Sequence, residues 1–528
     1  MRKVLFSLCR AALLTVLLTA PAQAATPTPL AGLGAPQLIP IPTWTSGAAG
    51  NGVSDTVAST DVFSFDPSTH TMYFADRTNK GVSAIDTRTN TYIGTIVVPG
   101  CAGLNANGQG SCPSGVLVAP DLHKLVITDR SNGGAATTTV LLNHVYIYDL
   151  RLGQFTPPAG LALPEGTAPD ELDYDPLNQR AYVGNTATPF FVTVVDLVNN
   201  VIVEQIPLPG APEQPRFDPV DGFIYVTVPG ATPPAVLRID TTKSGAAAIV
   251  ATFPTPGCDN RGIDIDALTN TAVIGCAGSN PQIAMDLSDG TILGTFPEVT
   301  GTDTEVFNPN VRRWYTASSN NTNSGVQCPG THDSPQVFPV VGVFAAPTRD
   351  DPSVTLVGAE CSGRNGHGIG VDPFSNNIYT GVRQFPADPA SFITGAPGVL
   401  AFHDPAHLAQ PRLVEASEAD VAPLPSSHVH ATVHIEDSHL VQARVDDLSP
   451  GTTLTLLNIT TTIGNEVVHC TRQGEDDAIC RGILRGKALI GGTAFLATDG
   501  TPVANGIIVR AEGHERERHK HGREHERD

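Results

Sequence analysis

Residues 168–210 read APDELDYDPLNQRAYVGNTATPFFVTVVDLVNNVIVEQIPLPG. The stretch opens on a polar turn, Pro169-Asp170-Glu171, and enters a short alternating run that ends at Asp175-Pro176. A second run follows, Ala181-Tyr182-Val183-Gly184-Asn185, then a third over 191–195 that stops at Asp196, and a fourth over 202–208 that stops at Pro209-Gly210. Short runs rich in Val, Ile, Tyr and Phe, bounded by Asn, Asp, Gly and Pro, read as four antiparallel strands. One such sheet cannot cover both of its faces, so its neighbours in the chain must do so.

The same pattern recurs along the chain, and each copy is marked by the turn that ends its first strand. The turns are Asp66-Pro67, Ala119-Pro120, Asp175-Pro176, Asp218-Pro219, Asp266-Ala267, Asn308-Pro309 and Asp372-Pro373. Their spacing, roughly 42 to 64 residues, is that of propeller blades rather than helical solenoids. Second strands align as well, for example Met72-Tyr73-Phe74-Ala75-Asp76, Ile224-Tyr225-Val226-Thr227 and Ile378-Tyr379-Thr380-Gly381. Third strands stop at Asp86, Asp149, Asp196, Asp240 and Asp286. The Ile39-Pro40-Ile41-Pro42 segment looks like a fourth strand displaced to the N-terminus, where it would close a ring by joining the last repeat to the first.

On these residues the chain resembles the YVTN-type bacterial seven-bladed β-propeller family, whose name quotes a second-strand motif close to Tyr182-Val183-Gly184-Asn185. The resemblance spans about 61–404. It implies a fold and leaves activity open, because that family and its relatives include binding proteins, lactonases, lyases and cofactor-holding electron-transfer subunits.

The expected fold class is all-β: a seven-bladed β-propeller over 37–408, then a small β-sandwich over 428–511. An acidic, proline-containing linker (409–427) separates the two, and a His-rich charged tail (512–528) with no apolar periodicity follows. Arg2 and Lys3, an apolar run over 11–20 and Ala22-Gln23-Ala24 read as a signal peptide over 1–24, followed by a flexible lead over 25–36. No later run is long enough to span a bilayer, so no transmembrane anchor is expected. Export to the periplasm or beyond the cell favours disulfides. The remaining cysteines form sequence-local pairs: Cys101 with Cys112, Cys258 with Cys276, Cys328 with Cys361 and Cys470 with Cys480.

A net charge of −21 excludes a basic nucleic-acid-binding face. If first strands line a central channel, the residue at one fixed offset before each marking turn stands at its mouth. That column is Asp61, Ser114, Asp170, Glu213, Arg261, Asp303 and His367, all polar and mostly acidic. Crowded carboxylates demand protons or a cation, so the column is the expected ligand site. Asp170, Glu213 and Asp303 are the expected ligands of a divalent cation. Alternatively, His367 with Arg261 or Arg364 would serve as base and oxyanion clamp of a lactonase or polysaccharide lyase. A second constellation, His428, His430 and His434, shares one strand face and suits zinc or copper, which would make the protein a periplasmic metal handler. The leading expectation is an exported binding protein. Its acidic channel mouth takes a small molecule, a glycan or a protein, with a divalent cation (Ca, Zn or Cu) as the possible cofactor.

Overall fold

The structure is a computed structural model that describes residues 32–42, 59–103, 112–130, 143–164, 166–219, 221–267, 269–309, 311–322, 337–347, 353–363, 366–382 and 397–406. In the C-terminal part it describes 416–423, 429–436, 440–446, 448, 455–461, 464–472, 477–484, 488, 493–498 and 501–510. The expected signal peptide and charged tail lie outside these residues.

The described residues build an all-β, propeller-like architecture of antiparallel sheets, most of them four-stranded. Their inner strands, in chain order, are Thr60–Asp66, Val116–Ala119, Pro169–Asp175, Pro215–Phe217, Asn260–Asp266, Thr304–Asn308 and Ile369–Asp372. Each lies beside the next, and the last lies beside the first. Gln37–Pro40 pairs antiparallel with Gly398–His403, so the sheet that begins at Ile369–Asp372 takes its outer strand from the opposite end of the chain. Ile39 and Ile41 are 2% exposed and pack with Phe63, Met72, Phe74 and Tyr379, which come from the two sheets flanking this junction.

The aspartates that mark the repeats have a local cause. Asp175 Oδ1 accepts the Leu177 N–H at 2.9 Å, and Asp372 Oδ1 accepts that of Phe374 at 2.8 Å. At the third-strand ends Asp149, Asp196 and Asp286 do the same for Arg151, Val198 and Ser288. A short carboxylate that bonds the backbone two residues on stabilises a tight turn, which is why the same residue recurs at these corners.

Disulfides join Cys101 to Cys112, Cys258 to Cys276 and Cys470 to Cys480, as the sequence pairs them. Cys361 is disulfide-bonded as well, whereas Cys328 lies outside the described residues. No helix among the described residues is long and apolar enough to cross a membrane.

The C-terminal strands correct one expectation. Ala416–Pro423, read as linker, is a strand paired with His430–Glu436, Thr501–Ile507 and Val509–Arg510. Its acidic composition signals solvent, but strand pairing uses the backbone, which composition does not report. The pairing runs from His430–Glu436 through Leu440–Asp446, Ala478–Ile483, Gly464–Arg472, Thr455–Thr461, Thr493–Thr498 and Thr501–Ile507 to Ala416–Pro423, and back to His430–Glu436. Such a circuit leaves no long free edge. Val433, Ile435, Val441, Leu457, Val468 and Leu496 share its core.

Candidate functional site

Local backbone irregularity aims the column. In three inner strands two consecutive residues face a single small one across the ladder: Asp61-Val62 opposite Ala75, Asp170-Glu171 opposite Gly184, and Arg261-Gly262 opposite Gly275. Such β-bulges bend a strand and re-aim its side chains, here at the residues the sequence singled out. Hydrogen bonds from the preceding sheet then hold the column's carbonyls. Thr128 donates to Asp170 O at 2.6 Å, Thr304 donates to His367 O at 2.6 Å, and the Gly262 N–H donates to Asp303 O at 2.7 Å.

The mouth is not the bare acidic ring expected. Asp61 pairs with Arg77, Asp170 with Arg130, and Glu213 with Arg261. Asp303 Oδ2 lies 2.6 Å from His367 Nδ1. Carboxylates gathered from distant sheets repel one another; three of these four stand against a guanidinium and Asp303 against the His367 ring. The cation ligands drawn from the sequence are corrected for the same reason. Asp170 and Glu213 face guanidiniums, and among the described residues the His/Cys/Asp/Glu set that comes within ligand distance is Asp61, Asp303 and His367. Ser114 is fully buried, with no partner for its Oγ.

The pairing of His367 with Arg261 as base and clamp also fails. Arg261 binds Glu213 and, at 3.4 Å, Asp259. Both nitrogens of His367 are engaged, Nδ1 by Asp303 and Nε2 by the Thr60 carbonyl at 2.6 Å. Arg364 lies outside the described residues, as does His428; of His430 only the backbone is described, and His434 is exposed on the outer face of its strand.

Below the mouth, a second layer stands three residues further along. Arg216 lies 3.1 Å from Asp264 through Nε and 3.5 Å from Asp173 through Nη1. Asp173 Oδ2 accepts the Phe217 N–H and Asp264 Oδ2 that of Phe307, each at 2.6 Å, so the carboxylates also stitch one inner strand to the next. A cavity of about 90 Å³ opens here, lined by Ser64, Asp173, Gln214, Arg216 and Glu305 among others. Glu171 and Glu305 are 6% and 1% exposed. One Glu171 oxygen and both Glu305 oxygens lack a hydrogen-bond partner. Glu305 fits only because Gly262 and Gly275 carry no side chain, since a methyl on either would collide with its carboxylate.

Electrostatics follow from this crowding. Burial, then Asp170 and Asp303, push Glu213 up to about 8 against the pull of Arg261 and Arg130. Burial, then Asp303, raise Glu171 and Glu305 well above the usual range. Burial is the largest influence on Asp303 and opposes its charge, but the His367 hydrogen bond and the charges of His367, Arg261 and Arg77 together overcome it and hold that carboxylate below the usual range. With Glu213 the folded state thus binds a proton that the unfolded chain releases near pH 4.5, so the contribution of this group to stability is greatest below about 4.5 and falls as pH rises through about 8. Each such group contributes a slope of at most about 1.4 kcal/mol per pH unit. Thermal unfolding followed from pH 5 to 8.5 is expected to show a falling Tm, shallower in Glu213→Gln; a rising Tm would contradict the buried, proton-holding acids.

Arg77, Arg130, Asp173 and Asp264 escape the sequence reading. The dipeptides Asp76-Arg77 and Asp129-Arg130 close the second strand in the first two repeats, and Asp173 and Asp264 stand three residues after Asp170 and Arg261. Both regularities were available as signals.

These features define a ring of sheets with a charge-paired polar mouth. No family model matches the chain, and no curated protein matches it in sequence. Among solved structures it is similar to a chain of Kuenenia stuttgartiensis hydrazine synthase, with a TM-score of 0.47 and 13% identity over 63% of this chain and 96% of that one.

Proposed function

We propose that the chain is an exported seven-bladed β-propeller with a small C-terminal β domain, and that it acts as a binding protein whose ligand docks on the channel mouth. Disulfides support export, since they persist in oxidising compartments such as the periplasm or the extracellular space. The observation that carries the binding reading is the convergence of Asp61, Asp303 and His367 from three different sheets, beside guanidiniums already paired and held in place. Preorganised groups of both signs suit a small polar ligand, hydroxylated or zwitterionic, because they bind without first being ordered. The occupied nitrogens of His367 weigh against the lactonase or lyase reading, which needs a free base.

The test is a thermal-shift and calorimetric screen of polar small molecules and glycan fragments against the full chain. A hit is expected to weaken at least tenfold in Arg130→Ala, with the fold retained. Turnover of a lactone or uronate polymer that disappears in His367→Ala would replace binding with catalysis.

A further inference from the structure

His367 poses a problem of lone pairs. A carbonyl oxygen can only accept, so the contact of Nε2 with Thr60 O at 2.6 Å makes Nε2 the protonated nitrogen. In the neutral ring, Nδ1 then carries a lone pair aimed at Asp303 Oδ2, 2.6 Å away. At that distance a proton stands between the two atoms, and a metal ion bound by both takes its place. Asp61 completes the cluster: one of its oxygens is held by Arg77, and the other lies 3.9 Å from the same Nδ1.

We propose that Asp61, Asp303 and His367 form a site for one divalent transition-metal ion of the zinc class. The three ligand atoms lie within 4.8 Å of one another, close to the separation of about 4 Å that two ligands of one zinc ion span. One imidazole with two carboxylates is a mixed nitrogen and oxygen set, which favours such an ion over calcium. An imidazole whose far nitrogen donates to a backbone carbonyl, here Thr60 O, has the arrangement that fixes ring and tautomer for a ligating histidine. Asp61, gripped by Arg77, is oriented in the same way.

A second, independent observation lies in the layer beneath. Glu171 and Glu305, both more than nine-tenths buried, carry oxygens that no hydrogen-bond donor meets. Of the mouth carboxylates, Asp61, Asp170 and Glu213 each pair with a guanidinium, whereas Asp303 stands against the His367 ring. A dication held beside that ring supplies the positive charge that Asp303 lacks when the imidazole is neutral.

This inference rests on the mouth being the ligand site, and the experiment separates the two. Full-length protein is stripped with chelator and titrated calorimetrically with Zn2+, alongside Asp303→Asn, His367→Ala and, as control, Glu213→Gln. The expected result is one Zn2+ fewer per chain in Asp303→Asn and His367→Ala than in wild type, with Glu213→Gln unchanged. Histidines elsewhere contribute equally to all four proteins and cancel. Zn2+ is also expected to raise the Tm of wild type and not of the near-isosteric Asp303→Asn, which guards against a misfolded His367→Ala. Equal stoichiometry in all four proteins overturns the metal site. A polar ligand that still binds the stripped protein would leave the binding reading standing while the metal falls.

Discussion

Replacing Arg216 with methionine is expected to lower the stability of the sheet ring by about 3–5 kcal/mol, the range for removing one partner of a buried ion pair. Its guanidinium is the cation that Asp173 and Asp264 share, at 3.5 and 3.1 Å, and it also donates to Ile263 O at 3.1 Å. Burial opposes its charge, yet Asp264, Asp173, Glu171 and Glu305 together overcome this and hold it protonated. Methionine matches the stem but leaves two buried carboxylates without the cation they share. They must then take up protons or draw in water, and the bonds they accept from Phe217 N–H and Phe307 N–H weaken. Loss of stability should therefore be steepest at neutral and alkaline pH. Adding Asp173→Asn and Asp264→Asn to Arg216→Met should recover part of it, because asparagine keeps the oxygen that accepts the backbone bond without the charge. Denaturant unfolding of the three proteins decides the matter. A cost below about 1 kcal/mol for Arg216→Met would place this cluster with exposed ion pairs.

The second large effect is expected at the junction where the ring closes. Ile39→Ala should cost about 2–5 kcal/mol, as for a large-to-small change in a packed core. Ile39 pairs with Val399, and its side chain sits among residues of the sheets on either side. Deleting the segment through Pro42 goes further. It bares the backbone edge of Gly398–His403 and removes the Gly34 N–H bond to His403 O and the Asn90 bond to Gln37. Open strand edges recruit other strands, so the truncated protein should self-associate as well as melt early. A truncated protein that stays monomeric by light scattering, with the wild-type Tm, would show that the closing strand is dispensable. Gly398 is part of the same fit, because a Cβ there would strike the Ile39 carbonyl.

Much of this architecture was legible in residue order. Period-two runs with Asp at fixed corners announce short strands, since those aspartates make turn bonds that depend only on neighbours two residues away. The N-terminal Ile39-Pro40-Ile41 segment was readable as an outer strand because it copies the others. The strand at Ala416–Pro423 was not, because its partners lie at His430–Glu436 and Thr501–Ile507 and its composition mimics a linker.

The site divides in the same way. Sequence periodicity alone places Asp61, Ser114, Asp170, Glu213, Arg261, Asp303 and His367 in one column, because an equal offset in a repeat means an equivalent place in each sheet. Which of them touch was a matter for tertiary structure. Repeat position says nothing of the direction in which a bulged strand aims a side chain, nor of a guanidinium arriving from the next strand. Arg77 and Arg130 thus turned an acidic ring into ion pairs, and the closing of the ring brought His367 of the last sheet within 3.9 Å of Asp61 of the first. Local bonds are encoded by neighbours in the chain; the balance of charge is decided only once distant strands have met.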